Sequence, residues 1–96
     1  MKIGLIAPAK ADMRRVWAYY EKQRSGLGDG FLDELGQAVR LVGKFPNAQP
    51  EFWKGTRRVL LKRFPYGPAY RIAGDEILVL VFAHTSRASR VWRRRL

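Results

Sequence analysis

Residues 57–92, RRVLLKRFPYGPAYRIAGDEILVLVFAHTSRASRVW, are three strand-like runs broken by two turn signals and followed by a basic stretch. Val59, Leu60 and Leu61 lead into Phe64-Pro65-Tyr66-Gly67-Pro68. The second run, Ala69 to Ala73, ends at Gly74-Asp75, a pair that supplies positive φ at low cost. Ile77 to Ala83 is almost uniformly apolar, the pattern of a strand central in its sheet or buried on both faces. Turns this short join antiparallel neighbours, so a three-stranded antiparallel meander is expected. Basic side chains stand at its rims: Arg57, Arg58, Lys62, Arg63 and Arg71 before the last strand, then Arg87, Arg90, Arg93, Arg94 and Arg95.

Outward from the meander, Ile3, Leu5 and Ile6 form a short opening strand that Pro8 closes, because proline cannot donate to a ladder but suits the first turn of a helix. Met13, Val16, Trp17 and Tyr20 recur at the spacing of one helical face, which makes Trp17 and Tyr20 core candidates, and Ser25-Gly26 stops the pattern. Asp29 is placed to cap a second helix whose Phe31, Leu32, Leu35, Ala38, Val39, Val42 and Phe45 form a wide apolar stripe ending before Pro46. Gly36 and Gly43 inside it each cost about 1 kcal/mol relative to alanine, so close approach of a neighbouring backbone is expected there. Residues 46–56 are expected to be a loop whose Phe52 and Trp53 cover the core. The expected fold class is therefore α+β: an N-terminal β-strand, an α-helical hairpin and a three-stranded antiparallel meander, with the helices packed on one face of a small sheet. Its other face is expected to stay open, rimmed with arginines.

Ninety-six residues suffice for a single domain, 1–96, with a modest core. An apolar content of 47% excludes a disordered chain. The formal net charge is +11, and from Lys54 onward eleven basic residues face only Asp75 and Glu76. Such a field attracts nucleic acid, anionic lipid or an acidic protein segment. The absence of cysteine excludes a disulfide framework and thiol chemistry, and suits a reducing compartment. No apolar run is long enough to cross a bilayer, and residues 1–8 are a poor secretion signal, so a cytoplasmic protein with no membrane partner is expected. No cofactor or metal site is expected.

In their order along nearly the whole chain, Pro8-Ala9-Lys10-Ala11-Asp12 to Trp17-Ala18-Tyr19-Tyr20, Phe31-Leu32, Phe45-Pro46, Arg57-Arg58-Val59, Phe64-Pro65-Tyr66, Tyr70-Arg71-Ile72 and His84-Thr85-Ser86-Arg87 before Trp92 resemble the RelE/ParE superfamily of type II toxin–antitoxin toxins, closer to its ParE branch. The resemblance implies a growth-inhibiting toxin of the kind that stabilises plasmids, neutralised by a cognate antitoxin whose flexible acidic C-terminal segment wraps over helices and sheet. The basic surface fits such a partner independently, through favourable electrostatics and fast association. One branch of the superfamily cleaves messenger RNA on the ribosome; the ParE branch poisons DNA gyrase without being a hydrolase.

Individual positions favour the second branch. RNA cleavage needs a group to activate the 2′-hydroxyl, one to protonate the leaving oxygen, and cations for the phosphorane. By resemblance, the cleaving branch carries a basic residue just after the aromatic of the turn into the middle strand and an acid–base residue near the C-terminus; here those positions hold Gly67 and Trp92. Pro68 also departs from the family pattern and is expected to delay the middle strand. Arg58, Arg63 and Arg87 can bind a phosphate, but arginine is a poor base. His84 is the only histidine, and at the end of a buried strand a structural role is expected of it. Tyr66 and Tyr70 are expected to pack in the sheet, and Arg93 to Arg95 to form a solvated tail. The expected function is ParE-like binding of gyrase with Arg58, Lys62, Arg63, Arg87, Arg90 and Trp92 as target- or anion-binding residues. Arg87 leads that set, because the resemblance places it there and a strand-end arginine can grip an anion bidentately. The alternative is a ribosome-dependent endoribonuclease using Arg58, Arg63, His84 and Arg87; a third reading is a plain nucleic-acid-binding module.

Overall fold

The computed structural model describes residues 2–84, apart from the side chains of Phe52 and Ala83. Its elements are β1 (Lys2–Leu5), α1 (Ala7–Gln23), α2 (Leu27–Lys44), β2 (Glu51–Trp53), β3 (Thr56–Arg58), β4 (Tyr66–Ala73) and β5 (Glu76–His84). They form one five-stranded sheet in the order β1-β5-β4-β3-β2. Gly74, at φ 62°, turns β4 into β5 as its turn chemistry predicts. The apolar β5 is interior to the sheet, antiparallel to β4 and parallel to β1, with Ile3 opposite Ile77 and Leu5 opposite Val79.

The expected meander needs two corrections. Residues 46–56 are not wholly loop: β2 and β3 form a hairpin around Lys54-Gly55, with Gly55 at φ 69°. The Val59–Leu61 run is not a regular strand, and β3 stops at Arg58. Proline accounts for the stop. Arg58 pairs with Ala69, so Val59 next faces Pro68. Val59 donates its N–H to the Pro68 carbonyl at 3.2 Å, and Leu61 donates to Tyr66 at 3.1 Å, but Pro68 has no N–H to return. The ladder is thus one-sided beyond Arg58. Pro68 does not delay β4, which already begins at Tyr66; its cost falls on the neighbouring strand.

Pro8 sits in the first turn of α1, where a missing N–H is harmless. α2 starts after Gly26, whose φ of 90° only glycine adopts readily, and it has no side-chain cap of its own. Asp29 is not the cap. Glu21 of α1 takes that role, its carboxylate accepting the N–H groups of Gly26, Gly28 and Asp29. Asp29 instead accepts the indole N–H of Trp17 at 3.1 Å. Trp17 bridges the two helices at 37% exposure rather than filling the core. The close helix approach expected at Gly36 and Gly43 occurs at Gly28, where an ideal Cβ would lie 2.6 Å from the Trp17 carbonyl oxygen. Around Gly36 and Gly43 the nearest atoms are side-chain tips at 3.5 and 3.6 Å.

Both helices pack on the sheet face presented by Tyr66, Tyr70, Ile72, Ile77, Val79 and Phe82, against Ala9, Val16, Phe31, Leu35 and Val42. Tyr20 meets Phe64 with ring centroids 4.8 Å apart, and Phe31 meets Phe64 at 5.6 Å. The second face is not the open landing surface expected. Ala69 and Val81, paired at its centre, are 0% and 3% exposed, and Leu80 at the β5 bulge is 8% exposed. A strand as uniformly apolar as β5 places hydrocarbon on both faces, and burial of both is the stable arrangement.

Candidate functional site

The basic residues divide among separate surfaces. Arg58, beside Ala69 on β3, belongs to the second sheet face. Arg71 shares that face and donates Nε–H to Thr56 Oγ1 at 3.1 Å. Arg57 points to the opposite side, where its guanidinium donates to the carbonyls of Gln49 and Asn47 and stands 4.0 Å from Glu51. Arg63 lies against α2: Nε is 2.9 Å from Glu34 Oε1 and Nη2 is 3.2 Å from the Gly30 carbonyl. Lys62 is exposed, and its ammonium makes no ion pair among the described residues. Arg87, Arg90 and Trp92 lie outside the described residues, as do Arg93, Arg94 and Arg95.

Glu34 organises the segment before β4. Its carboxylate accepts the backbone N–H groups of Lys62 and Arg63 as well as the Arg63 side chain. Burial pushes the Glu34 pKa up, but the Arg63 hydrogen bonds, the Lys62 N–H and the Arg63 charge together outweigh it and hold the carboxyl below its usual value. This anchor positions Leu60 to Arg63 as one wall of a groove of about 400 Å³, with Gln37, Ala38 and Leu41 of α2 as the other wall. Leu41 and Leu60 are 53% and 52% exposed. The sequence hint of this groove is Leu41, an apolar residue beside the core-facing stripe of α2.

His84 ends β5 on the helix-packed face. Its ring meets Tyr66 edge to face, centroids 5.1 Å apart. Tyr66 in turn touches Tyr20 at 6.5 Å. Burial, then the neighbouring Tyr66 and Tyr19, raise the Tyr20 pKa; burial raises that of Tyr70 despite the opposing charge of Arg57. Both phenols therefore stay protonated at neutral pH, and Tyr70 donates to the Pro46 carbonyl at 3.3 Å. Next to Tyr66, Gly67 is packed so tightly that a Cβ would run into the Val59 carbonyl and Leu60 Cδ2. No side chain fits at that position without moving the 59–61 backbone.

A helical hairpin laid on a five-stranded sheet, followed through the sequence from β1 into the segment after β5, matches one family across residues 5–89: ParE toxin of type II toxin–antitoxin system, parDE. The chain belongs to the ParE toxin family. Similarity extends to Y4kP, a candidate toxin of Sinorhizobium fredii (strain NBRC 101917 / NGR234), at 34% identity over 71 residues, covering 72% of this chain and 74% of that protein. Among solved structures, a chain of the chromosomal ParDE toxin–antitoxin system from P. aeruginosa superposes with a TM-score of 0.76 at 20% identity, covering 88% of this chain and 95% of that one. At that identity the likeness concerns the fold. Membership of the ParE family makes this protein the toxin of a type II pair and implies an antitoxin partner. No helix among the described residues is long and apolar enough to cross a membrane.

Proposed function

We propose that this ParE toxin inhibits growth by binding DNA gyrase in the cytoplasm, without hydrolysing nucleic acid, and is silenced when the acidic C-terminal segment of its antitoxin binds. Gly67 carries the reading. The mRNA-cleaving branch places a basic side chain at this point of the sheet, and here the Val59 carbonyl and Leu60 occupy the space such a side chain would need. Further support comes from Tyr20 and Tyr70, whose raised pKa values unsuit them to act as bases, and from Arg63, whose cation is engaged by Glu34. Arg58, Lys62, Arg87, Arg90 and Trp92 are the proposed target-binding residues, with Arg87 foremost.

The test is a gyrase supercoiling assay run beside a translation extract. Blocked supercoiling with trapped cleaved plasmid, and intact ribosome-bound messages, is the expected outcome; messages cut within codons would transfer the protein to the nuclease branch. One observation favours that alternative: the Tyr66–His84 contact sets an imidazole against a phenol. His84→Ala separates the two, since it should leave gyrase inhibition intact and abolish any message cleavage. Arg87→Ala should weaken toxicity in either case.

A further inference from the structure

α1 turns a strongly positive side to solvent. Its two carboxylates are both spent within the fold: Asp12 receives Arg15 and the Phe82 N–H, and Glu21 accepts the Gly26, Gly28 and Asp29 amides at the start of α2. Lys10, Arg14 and Lys22 are exposed and make no ion pair among the described residues. Along the helix, Lys10 and Arg14 form one row and Arg15 and Lys22 a second, with Ala11 and Ala18 between them, so an elongated polyanion can approach the backbone closely. Beside the second row a cleft of about 490 Å³ opens between α1 and the sheet. Val16, Tyr19, Tyr66 and Phe82 line it, with Arg15 and Lys22 at its edge. Tyr20 braces the Tyr19 ring edge to face at 5.2 Å, yet Tyr19 remains 57% exposed.

We propose that this flank of α1 binds single-stranded nucleic acid, with phosphates along Lys10, Arg14, Arg15 and Lys22 and one base in the cleft that Tyr19 and Tyr66 line. Cations beside aromatic walls are the arrangement that tracks a phosphate backbone while stacking its bases. Arg15 keeps donors for this role, since Asp12 engages only one end of a guanidinium whose side chain is 71% exposed. The cleft is within the range of about 300–1,000 Å³ usual for small-ligand sites. An acidic protein segment would satisfy the cations but give the ring walls no planar partner. A duplex keeps its bases inside the stack, out of reach of the cleft. Binding of this kind requires neither gyrase nor an antitoxin.

The test is fluorescence anisotropy on the full chain with four labelled probes of equal length, about 15 units: a thymidine DNA strand, a uridine RNA strand, an abasic DNA strand and poly-glutamate. Saturable binding of the thymidine strand that falls with salt is expected. Lys22→Glu should weaken it and lower the slope of log K against log salt by about 1. Lys54→Glu, the same change of charge at the β2–β3 turn on the far edge of the sheet, should leave the slope unchanged. Tyr19→Ala should cost about fivefold or more on the thymidine strand and nothing on the abasic one, while Tyr19→Phe keeps wild-type affinity. An equal loss in Lys54→Glu would make the attraction a property of the whole +11 chain and overturn the site. So would an abasic strand or poly-glutamate bound as tightly as the thymidine strand, or no saturable binding at all. Tighter binding of the thymidine strand marks DNA as the ligand, tighter binding of the uridine strand marks RNA, and equal affinity marks a site for both. Tyr19 and Lys22 are exposed, so an unchanged circular dichroism melt verifies that the variants are folded, and the wild-type comparison of thymidine and abasic strands decides without them. The titration contains no gyrase, so its failure and the failure of the gyrase reading are separate results.

Discussion

The Asp12 carboxylate of α1 accepts the backbone N–H of Phe82 in β5 at 3.3 Å. β1 last pairs with β5 at Leu5 opposite Val79, and after the Ile6 N–H reaches the Val79 carbonyl the chain turns away into α1. Beyond that point β5 has lost its neighbour on this side, and a side chain from the next helix supplies an acceptor. Asp12 is 4% exposed and also receives Arg15, so the helix is tied to the sheet by a charged group at their boundary.

Asp12→Ala should therefore destabilise the fold by about 1–3 kcal/mol, the cost of leaving a buried donor unpaired. Asp12→Asn, which keeps an acceptor oxygen, should lose less. Urea unfolding followed by circular dichroism measures both; an alanine variant as stable as the wild type would show that Phe82 finds water instead.

Gly28 and Gly36 should respond in opposite directions to alanine. A Cβ at 28 would meet the Trp17 carbonyl at 2.6 Å and Glu21 Cγ at 2.7 Å, so the helices must part, at about 1–3 kcal/mol. At 36 the nearest atom is the tip of Arg40 at 3.5 Å, and the gain in helix propensity, about 0.5–1 kcal/mol, should stand. Thermal melts of the two variants should shift to either side of the wild type.

Glu34 makes one part of the stability pH-dependent. Its folded-state pKa is depressed, so its contribution is complete above the ordinary carboxylate value of about 4.3 and disappears as pH falls through the lower folded value. The stability gap between wild type and Glu34→Gln should hold from neutrality down to the ordinary carboxylate range and narrow below it. A gap independent of pH would mean that the carboxylate charge is not what holds residues 62 and 63.

Gly67→Ala should push the 59–61 backbone away from β4. The expected loss is about 1–3 kcal/mol, with faster hydrogen exchange at the Val59 and Leu61 amides, which donate to Pro68 and Tyr66. For the same reason Gly67→Lys should not confer message cleavage, a point that a translation extract checks directly.

Much of the fold was legible locally. Pro8, Ser25-Gly26 and Pro46 bracket two helices found at Ala7–Gln23 and Leu27–Lys44, and Gly74-Asp75 marks the β4–β5 turn. The misread positions share a cause, since each depends on an atom distant in sequence. Pro68 ends β3 only because Val59 lies opposite it, and Asp29 yields its capping role because Glu21 comes from the other helix. For the site, the sequence named Arg58, Lys62 and Arg63 without showing that Arg58 stands on one sheet face and Arg63 against α2. Of the groove beside Leu41 and Leu60, the sequence held only the hint of Leu41 beside the core-facing stripe of α2.

By itself, then, the sequence determined β1, the two helices, the β4–β5 turn, the strong positive charge and the family, because periodicity, glycine and proline stereochemistry and charge act within a few residues of one another. Tertiary structure alone decided that β1 lies parallel to β5, that the second sheet face is closed at Ala69 and Val81, that Gly67 has no room for a side chain, and that α2 keeps an uncovered apolar flank. Those outcomes turn on which surfaces meet, and packing between separate segments leaves no periodic trace in either one.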